Sequence, residues 1–300
     1  MQYSICEAAQ TGLTKRPEER RRVKPAKSSL PPEPAFPGAI GPELRKLGDY
    51  SEIAAAFRWK IPARYNVARQ LCDRHAGDET RVALFFEAED GFRASYSFAQ
   101  LKTLSDRLAN TLKGIGIGRA DRVGILLPQR PETAVIHLAA LKLGAIVVPM
   151  APLFGIEAVA HRMNDSGARV LFFSHSDREK ILDERQRLPS IEHFVTVGGG
   201  GRGADDFEAL LTGGRLQLEP ADTAADDPAF LVYTSGTTGL PKGALHAHRA
   251  IPGRLTGLEM AHNFLPRPGD LFWSPADWAW MGGLMDSLLA PWVYGLPVLA

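Results

Sequence analysis

The residues with the clearest chemical potential lie in one string, Thr234-Ser-Gly-Thr-Thr-Gly-Leu-Pro-Lys-Gly243. Small hydroxylated residues and glycines let a backbone curl tightly and approach a ligand, with N–H groups and hydroxyls converging on one concave spot. Thr234, Ser235, Thr237 and Thr238 supply hydroxyls, while Gly236 and Gly239 give the chain its freedom. Lys242 adds a mobile positive charge, Pro241 stiffens the exit, and Gly243 is expected to keep the backbone accessible. Phosphate oxygens suit such a loop, so an anionic polyphosphate is its natural occupant. An ordinary Gly/Thr-rich turn between core strands is the plainer alternative, but the ordered string is too long for that. A Walker A loop requires Gly-Lys followed by Ser or Thr, whereas Lys242 follows Pro241 and precedes Gly243.

Other candidates carry less. His246 and His248 stand two residues apart, but no third ligand has metal-site spacing, so a structural or phosphate-adjacent role is expected and no metal site is assigned. Gly198-x-Gly200-x-x-Gly203 fits a dinucleotide fingerprint literally, yet six residues containing five glycines satisfy almost any glycine pattern. It is expected to be a surface loop. The basic run from Arg20 to Lys27 lacks interleaved aromatics and is read as a solvated tail rather than a nucleic-acid arm.

The elements that must position the loop are legible from periodicity. Phe98, Leu101, Leu104, Leu108 and Leu112 recur at helical steps behind a Ser97 cap and end at Gly114. Arg122-Val-Gly-Ile-Leu-Leu127 reads as a strand, Pro131 opens a helix that closes at Gly144, and Ala145-Ile-Val-Val148 is the next strand. The alternation continues with a helix over 156–164, the strand Val170–Phe173, a helix through Ile181, the strand His193–Val197 and a short helix near Phe207–Leu211. Phe230-Leu-Val-Tyr233 then runs straight into the loop. Apolar strands separated by helices imply an α/β fold with a doubly wound parallel sheet covered on both faces. The expected organisation is a disordered, proline-punctuated leader at 1–45, a first α/β subdomain at 46–225, and the start of a second at 226–300 that carries the loop.

Tyr233-Thr-Ser-Gly-Thr-Thr-Gly-Leu-Pro-Lys-Gly243 resembles the phosphate-loop motif of the adenylate-forming superfamily of acyl-CoA synthetases, luciferases and peptide-synthetase adenylation domains. The resemblance implies that Ser235, Thr237, Thr238 and Lys242 hold the β- and γ-phosphates of ATP while a carboxylate attacks the α-phosphate. It extends to Asp121–Pro128 and Leu141–Pro149. Phe57-Arg-Trp-Lys-Ile-Pro62 with Asn66 resembles the lead-in of acetyl- and medium-chain acyl-CoA synthetases, so the likeness runs from about Tyr50 to Ala300. Ala276-Asp-Trp-Ala-Trp280 with Gly282 and Gly283 resembles their acyl-pocket segment, which implies that Trp280 helps set chain length, with Gly282 beside it. The alternative for tryptophan is a core position, expected for Trp273 and Trp278.

By this resemblance the chain is the front part of a carboxylate–CoA ligase that uses ATP, magnesium and CoA. The alternatives are an adenylation domain that loads a carrier protein and a non-catalytic nucleotide-binding fragment. Family members continue with adenine, ribose, hinge and catalytic-lysine segments that residues 1–300 do not contain, so this stretch alone is expected to be inactive. The sheet edge left exposed where the chain stops is expected to favour association. Thirty-five basic against 34 acidic residues give a net charge of +1, with no global attraction to nucleic acid or membranes. Two cysteines, Cys6 and Cys72, are too few for a disulfide framework, and no secretory signal or membrane span is read. A cytoplasmic setting is expected.

Overall fold

A Ser97 cap and a Gln100 three residues later are enough to start the first long helix. In the computed structural model, Ser97 Oγ accepts from the Gln100 N–H at 3.2 Å and Gln100 Oε1 accepts from the Ser97 N–H at 2.8 Å. The structure describes residues 48–213, 215–234 and 239–300. The expected leader at 1–45 and the loop tip Ser235–Thr238 lie outside the described residues.

In chain order, α1 (Tyr50–Ala56) and α2 (Val67–Leu71) precede a hairpin of β1 (Val82–Glu87) and β2 (Arg93–Ser97). Next come α3 (Phe98–Gly114), β3 (Arg122–Leu126), α4 (Pro131–Lys142), β4 (Ile146–Met150), α5 (Ile156–Ser166) and β5 (Val170–Ser174). Helix α6 (Arg178–Leu182), β6 (His193–Val197), β7 (Asp205–Asp206), α7 (Phe207–Gly213), β8 (Pro228–Thr234) and β9 (Lys242–Ala247) follow. Last are α8 (Ala250–Ala261), a π-helix (Gly282–Leu289), α9 (Ala290–Val293) and β10 (Val298–Leu299).

The main sheet has seven strands in the order β7-β6-β5-β3-β4-β8-β9, all parallel to their neighbours except β9, which pairs antiparallel with β8. Its central strands are apolar throughout because both faces are covered. On one face α5 packs Val159 and Met163 with Leu126, Val148, Leu171 and Tyr233. On the other, α3 and α4 share the larger core with Val123, Ile125 and Val147. Gly124 lets α5 approach closely, since a Cβ there would sit 2.5 Å from Met163 Sδ.

The strand pairing does not divide at residue 226. Strand β8 joins β4 in the main sheet, and β1 pairs with both β2 and β10 in a second, three-stranded sheet. Long-range pairing of this kind leaves no periodic signal near the residue where a boundary is drawn. The Gly198–Gly203 stretch is a largely exposed connection between β6 and β7.

Lys142, the last residue of α4, is fully buried and paired with Asp106 at 2.5 Å and Asp73 at 2.8 Å. Burial alone would lower its pKa, but the two carboxylates outweigh that and hold the ammonium above its ordinary range. This ties the end of α4 to α3 and so fixes the β3–β4 crossover.

At three buried histidines burial wins instead. Burial pushes His137 down to about 3. Burial, helped by Arg81 and Arg74, takes His75 to about 4, and burial takes His248 to about 4. Among the described residues neither ring nitrogen of His137 finds a hydrogen-bond partner. All three folded pKa values lie below the ordinary histidine value of about 6.5, so the unfolded chain binds more protons between those limits. Their contribution is therefore fully present above about pH 6.5 and is lost as the pH falls toward 4, at roughly 1–2 kcal/mol per histidine by pH 5. Urea denaturation at pH 7 and pH 5 is expected to show this loss, and His137→Met is expected to reduce the difference between the two pH values.

Candidate functional site

Strands β8 and β9 form a hairpin whose register pairs Tyr233 with Gly243 and Thr234 with Lys242. The described ends of the Thr234–Gly243 string thus form the neck of a β-hairpin at the carboxyl end of β8. Thr234 and Lys242 are exposed and face each other across its neck. Gly239 has φ +99°, a conformation that a side chain resists. Gly243 is required by packing: a Cβ there would lie 2.8 Å from Leu231 Cδ1 and 3.3 Å from Tyr233 Cζ. Ser235, Gly236, Thr237 and Thr238 lie outside the described residues.

Helix α5 holds both ends of this loop. His161 Nε2 is 2.8 Å from the Pro241 carbonyl at the exit, and its ring meets Tyr233 at the entrance with centroids 6.0 Å apart. The Tyr233 hydroxyl donates to Asp165 Oδ2 at 2.6 Å, so burial and that carboxylate both raise its pKa. Beside the loop exit, a cavity of about 790 Å³ is lined by His161, Arg162, Arg187, Leu240 and Pro241 among others.

The segment expected to form the acyl pocket is clamped from two sides. Gln129, just beyond β3, donates from Nε2 to the carbonyls of Ala276 at 2.5 Å and Ser274 at 3.3 Å. Asp277 Oδ1 accepts from the Ala279 N–H at 2.7 Å and turns the chain, and burial raises its pKa. Gly283 lies so close to this turn that a Cβ would come within 2.3 Å of the Asp277 carbonyl oxygen and 2.4 Å of that of Ala276. Gly282 is exposed and faces open space. Trp280 is 45% exposed and meets Phe154 edge-on, with centroids 6.2 Å apart. Trp278 is buried as a core residue, but Trp273 is 61% exposed, contrary to the expected core position. It sits on the irregular stretch ahead of the clamped turn, where no sheet or helix covers it.

His248 is buried, and its Nδ1 accepts from the Val67 N–H at 3.2 Å, which anchors α2. His246 is half-buried and lies toward Trp59 and Arg249. Among the described residues there is no group of three or more His, Cys, Asp or Glu that could hold a metal. Nor is any helix there long and apolar enough to cross a membrane.

The AMP-binding enzyme family matches residues 72–300. The chain belongs to this family. Acetyl-coenzyme A synthetase of Streptomyces coelicolor is 33% identical over 244 residues, covering 75% of this chain and 38% of that protein. The Bacillus subtilis acetyl-coenzyme A synthetase is 33% identical over 256 residues, covering 82% of this chain and 43% of that protein. The chain therefore spans about two fifths of the length of these relatives. Among solved structures, the anthranilate CoA ligase AuaEII in complex with anthranoyl-AMP superimposes with a TM-score of 0.73 at 30% identity, over 80% of this chain and 45% of that one. The Brucella canis acyl-CoA synthetase does so with a TM-score of 0.74 at 28% identity, over 84% and 47%. In this chain, sequence reasoning missed Gln129, Phe154, His161 and Arg162, and it named Gly283 without its packing role. Gly283 had a signal in its place after the tryptophan segment; the others did not.

The two adjacent glycines separate packing from openness. Gly283→Ala is expected to lower stability by about 1–3 kcal/mol, because backbone rather than a movable side chain must give way. Gly282→Ala is expected to stay within about 0.5 kcal/mol of the parent. Paired denaturation curves check both.

Proposed function

We propose that the protein of which this chain forms a part activates a short- or medium-chain carboxylic acid with ATP and passes the acyl group to CoA. The observation that carries this reading is the hairpin itself, which places Lys242 opposite Thr234 at the carboxyl edge of a parallel sheet. The segment bearing Trp280 stands at that same edge. In the first step a carboxylate oxygen of the acid bonds to the α-phosphorus of ATP, and the bond to the β-bridging oxygen breaks with pyrophosphate as leaving group. In the second, the CoA sulfur, losing its proton, bonds to the acyl carbon and AMP departs. Similarity to acetyl-coenzyme A synthetases and to an anthranilate CoA ligase supports this reaction class.

The residues of this chain would act by position and charge. The Lys242 ammonium and the loop's backbone N–H groups neutralise the β- and γ-phosphates as charge moves onto pyrophosphate. Ser235, Thr237 and Thr238 add hydroxyl donors, and Gly236 and Gly239 permit the close approach. Trp280 and Gly282 bound the acyl group and set its length. Mg²⁺ would accompany the ATP phosphates, and no step is routed through it. Transfer to a carrier protein is the second reading, less favoured because the Trp59 and Trp280 segments resemble CoA-using enzymes.

Exchange of labelled pyrophosphate into ATP tests the reading. The full-length protein is expected to show acid-dependent exchange with some acid from two to ten carbons, and to release AMP with CoA rather than with a carrier protein. Residues 1–300 alone are expected to show none. Lys242→Met is expected to lower kcat/KM for ATP by about 100-fold or more, the scale seen when one preorganised charge donor is removed. Trp280→Ala is expected to shift preference toward longer acids. A full-length protein that binds ATP without acid-dependent exchange would instead be a non-catalytic nucleotide binder.

A further inference from the structure

Arg162 is only 6% exposed as a residue, yet among the described residues it forms no ion pair with a carboxylate. One nitrogen donates to the Ala158 carbonyl of its own helix at 2.7 Å. Its charge rests on two aromatic faces, with Cζ 4.2 Å from the Phe154 centroid and 5.6 Å from that of Tyr233. Phe154 in turn meets Trp280, and Tyr233 is the residue just before the phosphate loop. A buried cation held by ring faces is costly for stability alone, because an apolar side chain of similar volume would fill the same space without losing hydration. Its planar shape does what an apolar chain would not: it ties a ring from the loop after β4 to a ring of strand β8.

We propose that Arg162 is a positioning residue that couples the acid pocket to the phosphate loop, through the continuous stack Trp280–Phe154–Arg162–Tyr233. The neighbouring His161 reinforces it by fixing the loop exit at Pro241. A longer acid that displaces Trp280 shifts Phe154, and Arg162 passes that displacement to the base of the loop. By reciprocity, ATP on the loop then tightens the acid pocket, so the two substrates influence each other's binding by the same factor. The kinetic part of this proposal rests on the adenylate-forming reading above; the mechanical part does not.

Hydrogen exchange of the amides of residues 239–247 in the full-length protein tests the mechanical part. Trp280→Ala and Arg162→Met are each expected to speed that exchange at least threefold, with Arg162→Lys intermediate. Trp273→Ala, on an exposed tryptophan outside the stack, is expected to leave it unchanged. If Trp280→Ala leaves these amides as in the parent, the coupling does not exist, whether or not Arg162→Met folds. In the exchange assay, Arg162→Met is expected to raise KM for acid and ATP together about tenfold with a smaller change in kcat. Movement of only one KM would also overturn the proposal. A parent without acid-dependent exchange refutes the catalytic reading and leaves the amide measurement to decide the coupling.

Discussion

Parallel pairing of β3, β4, β5 and β8 is the constraint on which the rest of the structure depends. Parallel strands cannot be joined by tight turns, so β3, β4 and β5 must each be followed by a crossover, and all four strands end at the same edge of the sheet. Gln129 follows β3, Phe154 follows β4, and Thr234 ends β8. Three residues far apart in sequence are therefore delivered to one edge without any direct interaction between them. The burial that enforces this is two-sided: α5 on one face, α3 and α4 on the other, with the Lys142–Asp106–Asp73 pairing holding the second layer in register.

Local rules carried much of this fold. The Ser97 cap, Pro131 at the first turn of α4 and the apolar runs of β3 to β6 each follow from a short window of sequence, and the structure places them there. The β1–β2 hairpin was not legible. Its register shifts between Val82 and Leu84, which blurs strict alternation, and its partner β10 lies about two hundred residues away. The continuity of the main sheet across residue 226 was hidden for the same reason, since the pairing of Phe230 with Val147 is long-range.

The site was legible where a motif is contiguous and illegible where it is assembled in space. Thr234 to Gly243 declares itself as a string. Arg162 does not, because on an amphipathic helix an arginine reads as a solvent-facing residue. Only the arrival of Phe154 from one loop and Tyr233 from another strand turns it inward. Gln129 is similar: an amide ahead of a helix start is unremarkable until two carbonyls of the 274–276 segment settle on it.

The hairpin form of the loop also decides where its positive charge must come from. When a phosphate-binding loop runs into a helix, the aligned peptide dipoles supply about half a unit charge at the helix N-terminus. Here the loop runs into β9, and strand dipoles largely cancel. Fixed backbone charge is therefore weaker, and in the proposed reading the ammonium of Lys242 carries more of the attraction for an anion. A side-chain charge is mobile, so it is effective only if the neck from which it springs is held. Tyr233 packed on Gly243, the Tyr233–Asp165 hydrogen bond and the His161–Pro241 contact hold that neck from the α5 side. The rigidity of α5 thus stands in for the helix dipole that this loop lacks.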